Sequence, residues 1–230
     1  KVIIFFGGMI LGPVAFSFLS LRFCKRSIRG DKRDPWLSSS AIAFAAIRGT
    51  SFRGSVLTNA NFSHATLKVC DFRLSTLTRC SWKDAKKLNL LRPGMTYLNN
   101  PRIRELLTTG DGESKVFNHL PNLQGLNLQN ANLTNSDFTG SNLQDSLMVN
   151  ADLSKAILTN ANLNGANLQD ANLRDAKLIQ TQLDQADLTG TNLTGACIED
   201  WNITVDTQIR GIQCDYVFMH NITEEVDNPD

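Results

Sequence analysis

The chain has three histidines, His64, His119 and His220, and none stands in an HxxxH or Cys–His spacing. Its five cysteines lack the paired spacing of a zinc site. No GxxxxGK(S/T) loop and no GxGxxG turn occurs, so the glycine loops that cradle phosphates are missing. The GGxGxD motif of calcium-binding β-helices is missing as well. These absences argue against metal, nucleotide and cofactor chemistry. The sequence therefore implies no enzyme, no catalytic residue and no cofactor. A different absence stands at the amino end, where Val2 to Leu21 contains no charged residue at all.

What the chain does have is a period of five. From Leu123 to Ile203 a large apolar residue returns at every fifth position, seventeen times. The series begins Leu123, Leu128, Leu133, Phe138, Leu143, Met148 and closes Leu188, Leu193, Ile198, Ile203. Neither a helix at 3.6 residues per turn nor a strand at 2.0 keeps such a series on one face. The backbone must turn a corner every five residues. Two positions earlier stands a small residue, from Ala131, Ser136 and Ser141 through Ala186, Thr191 and Ala196. Small and large side chains complement one another in a close-packed interior. Asn, Asp and Gly fill many of the remaining positions and suit repeated turns. An earlier run, Ile47, Phe52, Leu57, Phe62, Leu67, Phe72, Leu77 and Trp82, has the same spacing in another frame. The segment between the runs reads as an insertion.

Units such as Ala131-Asn132-Leu133 and Ala151-Asp152-Leu153 resemble the A(D/N)LXX units of the pentapeptide-repeat family. The resemblance covers roughly residues 45–85 and 121–203. It implies an all-β fold, a right-handed quadrilateral β-helix with four pentapeptides per coil and about six coils here. Residues twenty apart then stack at the inter-strand spacing of about 4.8 Å. Leu123, Leu143, Leu163, Leu183 and Ile203 form one interior ladder, Phe52 lies over Phe72, and Phe62 over Trp82. Trp201, Ile209, Ile212, Tyr216, Val217 and Phe218 read as a hydrophobic lid on the open end. The stretches Cys197 to Thr204 and Gly211 to Phe218 resemble the end of the repeat domain in many cyanobacterial members.

About twenty apolar residues span a bilayer core, so residues 1–23 are expected to be a transmembrane helix. Gly8 and Gly12 form a GxxxG, and no A-x-A-like cleavage site follows. Residues 24–44 read as a basic juxtamembrane linker and amino-terminal cap, with Arg22, Lys25, Arg26, Arg29, Lys32 and Arg33 against Asp31 and Asp34. Such flanks stay on the cytoplasmic side. The repeat domain is then cytoplasmic and membrane-anchored, with lipid contact through residues 2–23 and the flank. The family resemblance points to a thylakoid or plasma membrane of a cyanobacterium. The chain opens on Lys1 and closes on the acidic run Glu224 to Asp230, which fits a piece of a longer protein.

The insertion, residues 86–120, carries a helix signal. Asn100 suits the N-cap, Pro101 the first position and Gly110 the C-terminal stop. A helix over 101–108 follows, with Ile103, Leu106 and Leu107 as an apolar stripe against the solenoid. Arg102, Ile103, Arg104, Leu106 and Leu107 are the candidate partner-binding residues. Residues 204–230 read as the carboxyl-terminal cap and acidic tail.

Charge is uneven along the chain. Residues 1–117 hold 19 Lys/Arg against 7 Asp/Glu, and residues 118–230 hold 4 against 15. An anionic bilayer would attract the basic half at about 1 kcal/mol per basic residue near its surface. A quadrilateral coil fills its own interior, so function belongs on the outside. The reading that results is a non-catalytic, membrane-tethered scaffold for an unidentified protein partner. One alternative is a peripheral domain of a transport or photosynthetic membrane complex. Another, which the family resemblance implies, is a DNA mimic acting on gyrase. It is disfavoured because the repeats from 118 to 198 carry seven acids against three bases, and no nucleic acid is expected as a partner.

Overall fold

The computed structural model describes residues 49–120 and 122–220. The expected transmembrane helix, the basic linker, Ile47 and the acidic tail from 221 lie outside the described residues. Among the described residues no helix is long and apolar enough to cross a membrane.

Each pentapeptide makes one short extended segment and one corner. The unit around Leu133 shows how. Leu133 N–H donates to the Asp152 carbonyl at 2.7 Å and Asn135 N–H to that of Ser154 at 2.9 Å. Asp152 N–H donates in turn to the Ala131 carbonyl at 2.9 Å. The corner closes within the unit, where Ser136 N–H meets the Leu133 carbonyl at 3.1 Å. Asn132 Oδ1 accepts from Thr134 N–H at 3.2 Å, the local bond that favours Asn and Asp at turns. The last residue of the unit takes a left-handed conformation, as at Asn135 (φ 55°) and Asn150 (φ 55°). Asn tolerates this region better than most residues. The repeat thus uses Asn twice, for two different reasons.

The units stack into parallel columns. Asn132, Asp152 and Asn172 are bridged in series, as are Leu147, Asn167 and Asp187. The spacing is twenty residues throughout this part. In the first run the strands β1, Val56–Thr58, and β2, Thr76–Thr78, pair in parallel at the same spacing. Phe52 stacks on Phe72 with centroids 4.9 Å apart, and Phe62 on Trp82 at 4.6 Å, as the spacing predicts. Ala156, Ala161 and Ala166 are fully buried beside Leu158, Leu163 and Leu168. Where the small residue is polar, a backbone carbonyl satisfies it. Ser141 Oγ donates to Phe117 O at 2.6 Å and Thr181 Oγ1 to Leu158 O at 2.9 Å.

Two expectations need correction. Ile203 does not end an interior ladder, because it is 38% exposed in the last described coil. No further described rung lies over it. For the same reason the lid is only partial. Trp201, Ile212 and Val217 pack on the core, while Ile209, Tyr216 and Phe218 remain exposed.

The segment 86–120 is also not one insertion. Arg92 pairs with Asp71, Asp111 with Asn132, and Val116 with Asp137. Phe117 stacks on Phe138 at 4.9 Å. Residues on both sides of the excursion are therefore rungs of the solenoid, offset by twenty-one instead of twenty. Only the stretch between Arg92 and Asp111 leaves the repeat. It contains the 3-10 turn Tyr97–Asn99 and helix α1, Pro101–Thr109. The two runs meet directly at one corner, where Arg79 N–H donates to Gly125 O at 2.5 Å. Arg79 continues past Gly125, its Nε reaching Asp145 O at 2.7 Å and its Nη2 reaching Gly165 O at 3.2 Å.

Candidate interaction surface

Helix α1 forms as its caps predict. Asn100 Oδ1 accepts from Arg102 N–H at 2.9 Å. Gly110 takes φ 73°, and its N–H closes on Leu106 O at 2.7 Å. The five candidate residues on it separate into two groups. Ile103 and Leu106 are fully buried and Leu107 nearly so, all within the core. They anchor the helix and present nothing to a partner. Arg104 is half-buried, and its Nη1 donates to Leu98 O at 2.7 Å. Desolvation lowers its pKa from the ordinary guanidinium value. Arg102 alone is exposed, with Nη1 3.3 Å from Val116 O.

The departure of the chain opens a groove of about 350 Å³ beside the helix, lined by Met95, Tyr97, Pro101, Leu120, Asn122 and Leu123 among others. Met95 stands over it at 82% exposure, and Leu74 and Val56 are exposed at 73% and 75%. Sequence reasoning missed these three. Val56 holds an outward position usually given to Asn or Asp, and Leu74 a corner position. Both departures are readable once the register is known.

Trp82 Nε1–H donates to the Tyr97 hydroxyl at 3.0 Å, and both rings are buried. Burial raises the Tyr97 pKa far above its ordinary value. Cys70, Cys80 and Cys197 are buried free thiols, and Cys214 is exposed and free. Desolvation raises the thiol pKa of Cys70 and Cys80, which suppresses reactivity. His64 is exposed, with Nδ1 3.5 Å from Asp84 Oδ2. Among the described residues no group of His, Cys, Asp and Glu could hold a metal ion.

On the outer faces of the second run, carboxylates accept hydrogen bonds from amide side chains of neighbouring rungs. Asn172 Nδ2 donates to Asp152 Oδ1 at 3.0 Å, Gln124 Nε2 to Asp145 Oδ2 at 3.1 Å and Asn132 Nδ2 to Glu113 Oε2 at 3.1 Å. Desolvation pushes the Asp187 carboxyl up, but hydrogen bonds from Thr189 and Gln169 outweigh it and lower its pKa overall. In the first run Asp71 is buried between Arg73, at 2.7 Å, and Arg92, at 3.7 Å.

The family model for Pentapeptide repeats matches the chain in eight copies, over residues 37–73, 122–154, 136–175 and 166–200. No curated protein is significantly similar in sequence. Among solved structures, a pentapeptide repeat protein from the cyanobacterium Cyanothece 51142 is 22% identical, covering 75% of this chain and 89% of its own, with a TM-score of 0.39. A pentapeptide repeat protein of the Arabidopsis thaliana thylakoid lumen is 28% identical over 42% of this chain and 71% of its own, with a TM-score of 0.27. QnrB1, a plasmid-mediated fluoroquinolone resistance protein, is 17% identical over 73% of this chain and 85% of its own, with a TM-score of 0.33.

Proposed function

The chain belongs to the pentapeptide-repeat family, and on that premise we propose that it is a non-catalytic, membrane-tethered scaffold for protein–protein interaction. Proteins of this family are generally non-enzymatic and are often of protein-interaction or DNA-mimic type. One observation carries the scaffold reading. The inward residues from Leu123 to Leu193 are all close to fully buried, so the solenoid is packed to its axis and only its outside can bind. The groove beside α1, with the exposed Met95 at its edge, gives that outside an apolar region. Exposed apolar surface of this kind marks interaction sites more often than chance.

The tether rests on the uncharged run Val2 to Leu21 and the basic flank that follows it. On this reading the repeats face the cytoplasm. Cell fractionation tests it. The full-length chain is expected in the membrane fraction and to need detergent for release. Its recovery in the soluble fraction without detergent would remove the tether. Crosslinking in native membranes, read by mass spectrometry, tests the scaffold. Crosslinks from residues around Met95 and Arg102 to one recurring neighbour are expected, and the absence of any neighbour on repeated trials would overturn it.

The DNA-mimic alternative has no support of its own here. The repeats from 118 to 198 carry only seven acids against three bases, and the first run is basic.

A further inference from the structure

In the first two coils one side carries a cluster of exposed lysines. The bridge between Thr66 and Lys86 sets these two residues on neighbouring rungs of the same face. Lys68 lies two residues on from Thr66 in its unit. Lys87 follows Lys86, in the left-handed region at φ 67°. Lys83 stands on the adjoining face, just before the corner at Asp84. All four lysines are exposed, and none makes an ion pair among the described residues.

No carboxylate lies within ion-pairing distance of them among the described residues. Between residues 49 and 92 the only acids are Asp71 and Asp84. Asp71 is buried and held by Arg73 and Arg92. Asp84 lies beside His64. Arg73, Arg79 and Arg92 are engaged in fixed contacts, while the four lysines and Arg53 are exposed without an ion pair among the described residues. Flexible ammonium groups of this kind act as point charges toward phosphate and carboxylate headgroups. Basic clusters close to a membrane span read as anionic-lipid sites.

We propose that Lys68, Lys83, Lys86 and Lys87 form a docking surface for an anionic membrane, which lays this side of the first coils against the bilayer. The occupant follows from charge complementarity and from position. The cluster begins within about fifty residues of the uncharged run ending at Leu21, whose own flank is basic. The proposal rests on the tether reading for its geometry. It leaves the opposite side, with Val56 and β2, free for a protein.

The test uses the full chain in vesicles of phosphatidylcholine, with and without phosphatidylserine. A membrane-impermeant amine reagent labels accessible lysines, and mass spectrometry reads each site. Phosphatidylserine is expected to slow labelling of the four lysines several-fold while Lys155 and Lys177 are unchanged, and high salt should reverse the effect. Equal labelling in both vesicle types would overturn the proposal. So would protection of the same lysines by duplex DNA but not by phosphatidylserine. A variant with all four lysines changed to Gln alters only exposed positions and is expected to lose the slowing of amide exchange that phosphatidylserine causes around Thr66 and Lys86. Equal slowing in that variant and the parent would also overturn the proposal. Failure of the tether is a separate outcome, because a peripheral chain leaves both vesicle types in an alkaline wash whatever its lysines do.

Discussion

Leu106 and Gly112 share one space. A Cβ built at Gly112 would lie 3.0 Å from Leu106 Cδ1 and 2.8 Å from Leu133 Cδ2. Gly112 bonds through its N–H to Asn132 O at 2.7 Å, so it occupies the rung position next to Leu133 where the repeat elsewhere has a large apolar residue. The side chain that fills the interior there comes from helix α1.

This sharing predicts a coupled pair of substitutions. Leu106→Ala empties the site and is expected to cost about 2–5 kcal/mol. Gly112→Leu overfills it and is expected to cost about 1–3 kcal/mol. Combined, the two changes should cost clearly less than their sum, because the rung supplies the side chain that the helix no longer does. Chemical denaturation of the four proteins measures the coupling. Simple additivity would mean that the two side chains do not compete for one volume.

The seam between the two runs makes a second prediction. Gly125 and Gly211 both have positive φ, 67° and 64°. A Cβ at Gly125 would meet Thr78 Cα at 3.0 Å, whereas at Gly211 the nearest atom is Gly190 N at 4.0 Å. Alanine at either position carries the left-handed strain of about 1 kcal/mol. Gly125→Ala adds a clash with backbone and loosens the Arg79–Gly125 bond. It should destabilise the protein markedly more than Gly211→Ala, as thermal unfolding would record. Equal losses would show that the seam is not close-packed.

Arg79 bridges three corners. Its guanidinium donates to Asp145 O and Gly165 O, across the join. Hydrogen bonds to a charged donor contribute about 1.5–3 kcal/mol each at most, and partial exposure reduces this. Arg79→Met keeps much of the aliphatic stem and removes the donors. Faster amide exchange around Gly125 and Asp145, with the coils beyond Ala176 unaffected, is the expected result. Uniform acceleration along the solenoid would indicate that the effect is global.

Asp71 sets an acid limb for stability. The hydrogen bond from Arg73 is the main reason its carboxyl titrates below the usual range, opposed by desolvation and helped by the charge of Arg92. A depressed folded-state pKa stabilises the folded form above the unfolded value, which is about 3.9. That stabilisation is lost as the pH falls through the lower, folded-state value. Asp71→Asn should lower stability at neutral pH and flatten the decline below about pH 4. Parallel acid curves for the two proteins would assign the decline to other carboxyls.

Much of the fold was legible because its signal is local. The five-residue period, the small residue two places earlier and the Asn-rich corners all describe one turn of backbone, and each is visible within a single unit. The stacks of Phe52 on Phe72 and Phe62 on Trp82 follow once twenty residues make a coil. The helix was legible from Asn100, Pro101 and Gly110 for the same reason. The rungs at Asp111 and Val116 were not legible. Gly112 stands where the pattern requires a large residue, and an offset of twenty-one hides the frame. The candidate site was legible only in part. Its apolar stripe proved to be the helix anchor, while Met95 and the lysine face emerged from the three-dimensional register.

The sequence by itself determined that this backbone bends every five residues and closes a filled interior, because each corner is stabilised by bonds within its own unit. The tertiary structure alone decided how the two runs join, that Leu106 fills the place of a residue at position 112, and that Lys68, Lys83, Lys86 and Lys87 lie on one side. These depend on contacts between residues far apart in the chain, and such contacts exist only after the coils have stacked.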